Sequence, residues 1–336
     1  MKKNLSFAGM ATLMVILLAS CGIKTGQTSS GNPYELLVVV DHALWERPAG
    51  RALNSALKME ISGLPESEPS FRVMYAEPRH YDSMMKLVRN IIVVDIQDIY
   101  TKVTLKYAKD VYASPQVILT IQAPDEKTLM EYVEANKKSI PDFFTKVEMN
   151  RQIAMLQKEH SDLASAKVDS LFGCDIWLPA NVTASRTGQD FFWASWGGLD
   201  DRNFFVMYSY PYRDKDTFTT PYFIHKRDSV MKINIRGEKE GMYMATDSLL
   251  TDTYAATINN EYTMVARGLW RMKGDFMGGP YVSFSKVDQK NQRVVTAEVF
   301  VYSPDKAKGN PLRKMEASLY TLKLPGEGQL TQIPLE

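Results

Sequence analysis

The sequence is poor in the residues that most often carry chemistry. Two cysteines in 336 residues exclude a disulfide framework. Four histidines, His42, His80, His160 and His225, lie far apart in sequence and offer no clustered metal ligands. Neither charge is in excess: 40 basic and 39 acidic side chains give a formal charge of +1. That balance does not supply the basic patch a nucleic-acid partner needs. Nor is there a nucleophile elbow, a His-Glu-x-x-His helix, a phosphate loop, a dinucleotide fingerprint or a Cys-x-x-Cys pair. The sequence therefore assigns no catalytic residue, no metal ligand and no cofactor. Its nearest approaches to a site have plainer explanations. His225 and Asp228 sit one helical turn apart, as a solvated helix face would place them. Asp214 and Asp216 in YRDKDTF open like a calcium loop but lack its glycine and closing glutamate. GLDDRN reads as a solvated hairpin turn.

What is present begins at the N-terminus. Lys2 and Lys3 precede an apolar run from Phe7 to Leu18, too short for a spanning helix of ~20 residues. Leu18-Ala19-Ser20-Cys21 then matches the bacterial lipoprotein signal, in which the cysteine thiol is acylated and the leader is cut off before it. Residues 1–20 are expected to be that leader, and Cys21 the lipidated anchor to a bilayer. Residues 21–32, almost free of large apolar groups, are expected to be a flexible tether. Without an acidic run after Cys21 and with Gly22 next to it, the periplasmic face is expected, outer membrane before inner. Loss of Lys2 and Lys3 turns the formal charge to −1. Cys174 then has no intramolecular partner, and beside Trp177 it reads as a small buried hydrophobe.

Hydropathy patterning predicts an α+β chain of two α/β sandwich-like modules, with mixed, largely antiparallel sheets packed against helices. The first module spans 33–170. Strands are expected at 35–41, 71–76, 90–96, 102–108 and 116–122, and helices at 42–61 and 80–89. A long closing helical stretch, broken near Pro141, runs from 125 to about 170. The second module, 171–325, is richer in strands: 175–178, 191–196, 204–210, 242–246 and a meander of 262–272, 281–287 and 294–302. Its helices are expected over 222–235, with Phe223, Val230 and Ile233 inward and Met231 a further candidate, and over 311–322, with Leu312, Met315, Leu319 and Leu322 on one face. Residues 326–336 are expected to be a tail.

Twelve aromatic residues crowd between Phe191 and Phe223. They are enough for a glycan or peptide platform, but strand alternation puts Phe191 and Trp193 on one face and Phe192 on the other, as a two-faced core would. The most idiosyncratic stretch is ARGLWRMKGDFMGGPYVSF, residues 266–284. Here Arg267, Trp270, Arg271, Gly278, Gly279 and Pro280 are the candidate binding residues. If Trp270 faces the core, the two arginines share the other face, where their planar forks suit a carboxylate or phosphate. Glycines at 278 and 279 permit close backbone approach, to a ligand or simply within a bulge. The plainer use of the arginines is pairing with acids such as Asp275.

Together with LPESEPSF, YASPQV, DSVMKINIRG, YMATD and RKMEASLYTLK, this stretch resembles the Bacteroidetes lipoprotein family of domain of unknown function 4837. The likeness extends over nearly the whole mature chain. It implies a lipoprotein and carries no activity with it. The expected function is a membrane-anchored, non-enzymatic protein that binds or scaffolds an envelope partner, protein or glycan. The alternative is a hydrolase or transferase acting on cell wall or glycan through a site of dispersed residues.

Overall fold

The computed structural model describes residues 26–198 and 201–335; Cys21 and the expected leader lie outside them. The chain is α+β, built on two sheets. The first half runs β1 (Glu35–Val39), α1 (His42–Trp45), α2 (Pro48–Leu57), β2 (Arg72–Ala76), β3 (Asn90–Ile96), β4 (Thr104–Lys109) and β5 (Val117–Ala123). Three helices follow: α3 (Glu126–Ala135), α4 (Ser139–Lys158) and α5 (Asp162–Phe172). The strands form a sheet in the order β2-β1-β3-β5-β4. β2, β1, β3 and β5 pair in parallel and only β4 is antiparallel, so the expected antiparallel emphasis does not hold for this sheet. β1 is apolar on both faces because both are covered. Leu36 and Val38 meet the helices, while Leu37 and Val39 pack under the segment carrying Tyr81, Met85 and Val88.

The second half adds β6 (Ala184–Gly188), β7 (Phe191–Gly197), β8 (Arg202–Pro211), α6 (Thr220–Asn234), β9 (Tyr243–Thr246) and β10 (Asp252–Ile258). The long meander β11 (Glu261–Lys273), β12 (Gly278–Asp288) and β13 (Arg293–Tyr302) precedes the closing helix α7 (Gly309–Tyr320). Every pairing in this sheet is antiparallel, in the order β10-β11-β12-β13-β8-β7-β6, with β9 also on β11. One face packs on α6 through Phe223 and Met231. The other packs on α5 and α7 through Val168, Phe172, Leu312, Met315 and Leu319. Each such side chain contributes about 1.5–3 kcal/mol on burial. Phe191 and Phe192 lie in different cores, as alternation requires.

Several elements differ from expectation, each for a local reason. The helix expected over 42–61 is split, because Pro48 lacks an amide and starts α2 afresh. At 80–89 only two 3-10 turns form, Pro78–His80 and Met85–Leu87; Asp82 spends its carboxylate on the amides of Met84 and Met85. Pro141 sits in the first turn of α4, where a proline is tolerated, so the break falls before it. A second break at 159–161 is set by Ser161, whose hydroxyl caps α5. Residues 175–178 make only an isolated bridge, Asp175 to Lys323. Ile233, expected inward, is 66% exposed. β6 and β10 escape the hydrophobic pattern because they are mostly exposed sheet-edge strands.

The seams between parts also differ. α5, expected to close the first module, packs instead in the core of the second. α4 serves both: Phe144 and Val147 face the first sheet, and Ile153 and Leu156 pack with Trp177, Ala317, Leu330 and Ile333. The last two belong to the expected tail, which is tied down by paired hydrogen bonds between Asn150 and the backbone of Ile333. The expected tether is likewise held over its last residues. Ser114 donates to the Gln27 carbonyl, Ser29 to the Ser114 carbonyl, Ser30 to the Leu87 carbonyl and Arg89 to the Ser30 carbonyl.

Candidate functional site

β11 places the candidate residues. Met264, Ala266, Trp270 and Met272 point into the core under α6, so Arg267, Leu269 and Arg271 share the opposite face. The indole of Trp270 donates to the Val301 carbonyl at 3.2 Å. Gly279 is what permits this: a Cβ there would lie 2.1 Å from the Val301 oxygen and 3.2 Å from the indole nitrogen. Gly278 and Gly279 register opposite Arg271 and Trp270, and buried Pro280 opposite Leu269. The glycines thus serve the packing of three strands.

The two arginines have separate fates. Arg267 donates to Glu316 on α7, an ion pair whose carboxylate side chain is 1% exposed. Although burial opposes its charge, Glu316 and then Tyr254 hold the Arg267 guanidinium above its ordinary range. The fork expected for a ligand is therefore already occupied, by Glu316 rather than Asp275. Arg271 is exposed and has no side-chain partner among the described residues.

The wall facing β11 comes from the first module. Residues 59–70 form a small loop closed by Ile61 donating to the Glu68 carbonyl and Ser70 to the Met59 carbonyl. Its carboxylate, Glu68, accepts the backbone amides of Lys308 (2.6 Å) and Gly309 (3.0 Å), so one module caps the N-terminus of a helix in the other. The approach is close: a Cβ at Gly309 would lie 2.6 Å from the end of the Ile61 side chain, which would have to shift to admit it. Further along α7, Arg313 donates to the Ser70 carbonyl at 2.9 Å and stacks 3.4 Å over the ring of Tyr34.

Clefts open along this seam. One of about 380 Å³ is lined by Glu60, Asp142, Arg267, Arg313, Glu316 and Tyr320. Its deep polar groups are committed to one another, though Glu316 Oε2 and Arg313 Nε have no partner among the described residues. Another, about 510 Å³, lies on the far side of Leu269. It is lined by Pro65 and Glu66 from the loop, by Asp247, Arg271, Asp275, Phe276 and Met277, and by Tyr302, Asp305 and Lys308. Trp270, Gly278 and Gly279 contribute to the same wall. Phe276, at the tip of the β11–β12 hairpin, is fully exposed. Four of the six candidates therefore border one cleft, while Arg267 and Pro280 serve the fold.

Sequence reasoning missed Phe276, Tyr302, Glu66 and Lys308. A phenylalanine directly after the turn residues Gly274 and Asp275 was the one signal available for the first. Among the described residues no group of three or more His, Cys, Asp or Glu side chains is arranged to hold a metal ion. His225 and Asp228 are not brought together as ligands: Asp228 accepts from the amide and hydroxyl of Thr246.

Comparison with known families divides the chain where α4 ends. Residues 161–321 match the model of a domain of unknown function, DUF4837, and residues 29–157 match a second one, DUF8532. The LPESEPSF and YASPQV elements fall in the second match, so the expected likeness of the whole mature chain to a single family narrows to its latter half. No curated protein matches the chain.

Proposed function

We propose that this chain, whose residues 161–321 belong to the DUF4837 family, is a membrane-anchored binding protein of the cell envelope. The cleft at Arg271 and Phe276 is its docking surface, and its partner is a protein. The observation that carries this reading is that the fully exposed Phe276 and the exposed Arg271, which has no side-chain partner among the described residues, line one cleft of about 510 Å³. A partner's apolar pocket would take the ring's surface out of water, which is favourable by roughly 25 cal/mol per Å² buried. Aromatic and arginine side chains are also the types that dominate binding at protein interfaces. The anchor rests on Leu18-Ala19-Ser20-Cys21, and the periplasmic face on the residues after it.

The test is a photocrosslinking residue at position 276, expressed in the native envelope, with a control probe at exposed Leu163. A discrete adduct at 276 that disappears with Arg271→Ala, and no matching adduct at 163, is the expected result. No adduct at 276, or one indifferent to Arg271, contradicts the docking surface.

A further inference from the structure

The edge of the first sheet where its parallel strands begin has exposed apolar groups that the fold does not use. Met84 is 76% exposed, Val111 41% and Tyr112 38%. They belong to one neighbourhood. The Lys86 ammonium lies 5.6 Å from the centroid of Tyr81 and 5.5 Å from that of Tyr112. Gln116 ties the two segments, donating to the carbonyls of Lys86 and Val88 and accepting the Tyr112 amide. Lys109 stands exposed beside them. The nearby carboxylates are engaged by backbone: Asp82 by Met84 and Met85, Asp110 by Gln116.

This is also where the N-terminal segment enters the fold, pinned between residues 87–89 and Ser114. Six Cα-to-Cα steps separate Cys21 from Gln27, a reach of about 20 Å when extended. A tether free through residue 32 would reach roughly 40 Å. The folded chain is on the order of 50 Å across by the scaling of radius of gyration with length. A leash shorter than the molecule's own diameter keeps the face from which it emerges on the membrane side.

We infer that the Met84–Val111–Tyr112 surface rests on the lipid bilayer, with its apolar side chains at the headgroup boundary and Lys86 and Lys109 toward anionic headgroups. The inference rests on the lipid anchor proposed above. Tyrosine and lysine suit that boundary because each joins an apolar body to a polar tip. The consequence is orientation: one edge of the first sheet is held against the membrane.

The test supplies the lipid chemically. A chain beginning at Cys21 is coupled through that thiol to a maleimide-headgroup lipid in phosphatidylcholine–phosphatidylglycerol vesicles; buried Cys174 is spared. Amide hydrogen exchange over 81–88 and 110–114 is expected to slow severalfold against the uncoupled protein, with no change at 247–250 or 274–277. Met84→Glu with Val111→Glu is expected to abolish the slowing and leave the melting temperature unchanged. Unchanged exchange at 81–88 and 110–114, the result if a protein covers this face instead, overturns the assignment. Slowing that survives the double substitution overturns it as well. Because coupling does not depend on acylation in the cell, failure of the anchor reading shows separately, as an unlipidated Cys21 in envelope preparations.

Discussion

Arg267 and Arg271 lie four residues apart on one face of one strand, yet their removal is expected to have opposite consequences. Arg267→Ala strips the cation from Glu316, a carboxylate 1% exposed whose second oxygen has no partner among the described residues. Leaving one member of a buried ion pair uncompensated costs about 3–5 kcal/mol. Against a total stability of about 5–15 kcal/mol, that is a large share. At about 2 °C per kcal/mol for a chain of this size, the melting temperature falls on the order of 5–10 °C. Arg271→Ala removes an exposed side chain with no partner among the described residues and is expected to stay within about 0.5 kcal/mol of the parent. Guanidinium unfolding followed by tryptophan fluorescence measures both, with near-ultraviolet circular dichroism as the check on a single transition. The double variant Arg267→Met with Glu316→Met is expected to recover part of the loss, since an apolar pair can replace a buried ionic one. Partner capture should follow the reverse order, lost with Arg271→Ala and kept in the methionine pair. An Arg267→Ala protein as stable as the parent, or an Arg271→Ala protein as unstable as Arg267→Ala, refutes the division of roles.

Gly279→Ala drives a methyl group into the Val301 carbonyl and is expected to cost about 1–3 kcal/mol, with a shift in Trp270 emission as the indole loses its acceptor. Cys174 is buried and its thiol is pushed up to about 12 by that burial, so maleimide labelling should be slow in the native protein and fast in denaturant. Rapid native labelling contradicts its placement. Glu35, held low by the amide and side chain of Asn32, and Asp95, held low by Tyr100 and Gln97, contribute stability above their unfolded ionisation range and lose it as pH falls through the folded one. Denaturation midpoints should therefore be flat near neutrality and decline below about pH 4.5. A decline confined to alkaline pH contradicts this.

Legibility in the sequence followed the physics of each element. Two-faced apolar runs such as Glu35–Val39 and Asn90–Ile96 announced their strands, and the alternation of Arg267, Trp270 and Arg271 gave the right faces. The exposed edge strands β6 and β10 carried no such signal, because they satisfy the backbone without burying a stripe. Short-range sequence also gave no hint that Glu68 would cap α7, a contact across 240 and 241 residues. The same holds for Arg267: its partner, Glu316, lies 49 residues away, and an arginine flanked by glycine reads equally well as a ligand fork. The tether looked loose because its side chains are small and polar, but backbone hydrogen bonds hold its last residues; the tail is held by Leu330 and Ile333 packing on α4 and by the Asn150 side chain.

The anchor is the premise shared by the envelope partner and the bilayer-facing edge, and Cys21 is where it is read. The decisive measurement is the mass of the N-terminal peptide from envelope-extracted protein, compared with Cys21→Ser. The expected result is a mature chain that begins at an acylated Cys21 and sediments with membranes, with the serine variant released or left uncleaved. Unmodified Cys21, or a serine variant processed and retained like the parent, contradicts a lipid-anchored binding protein.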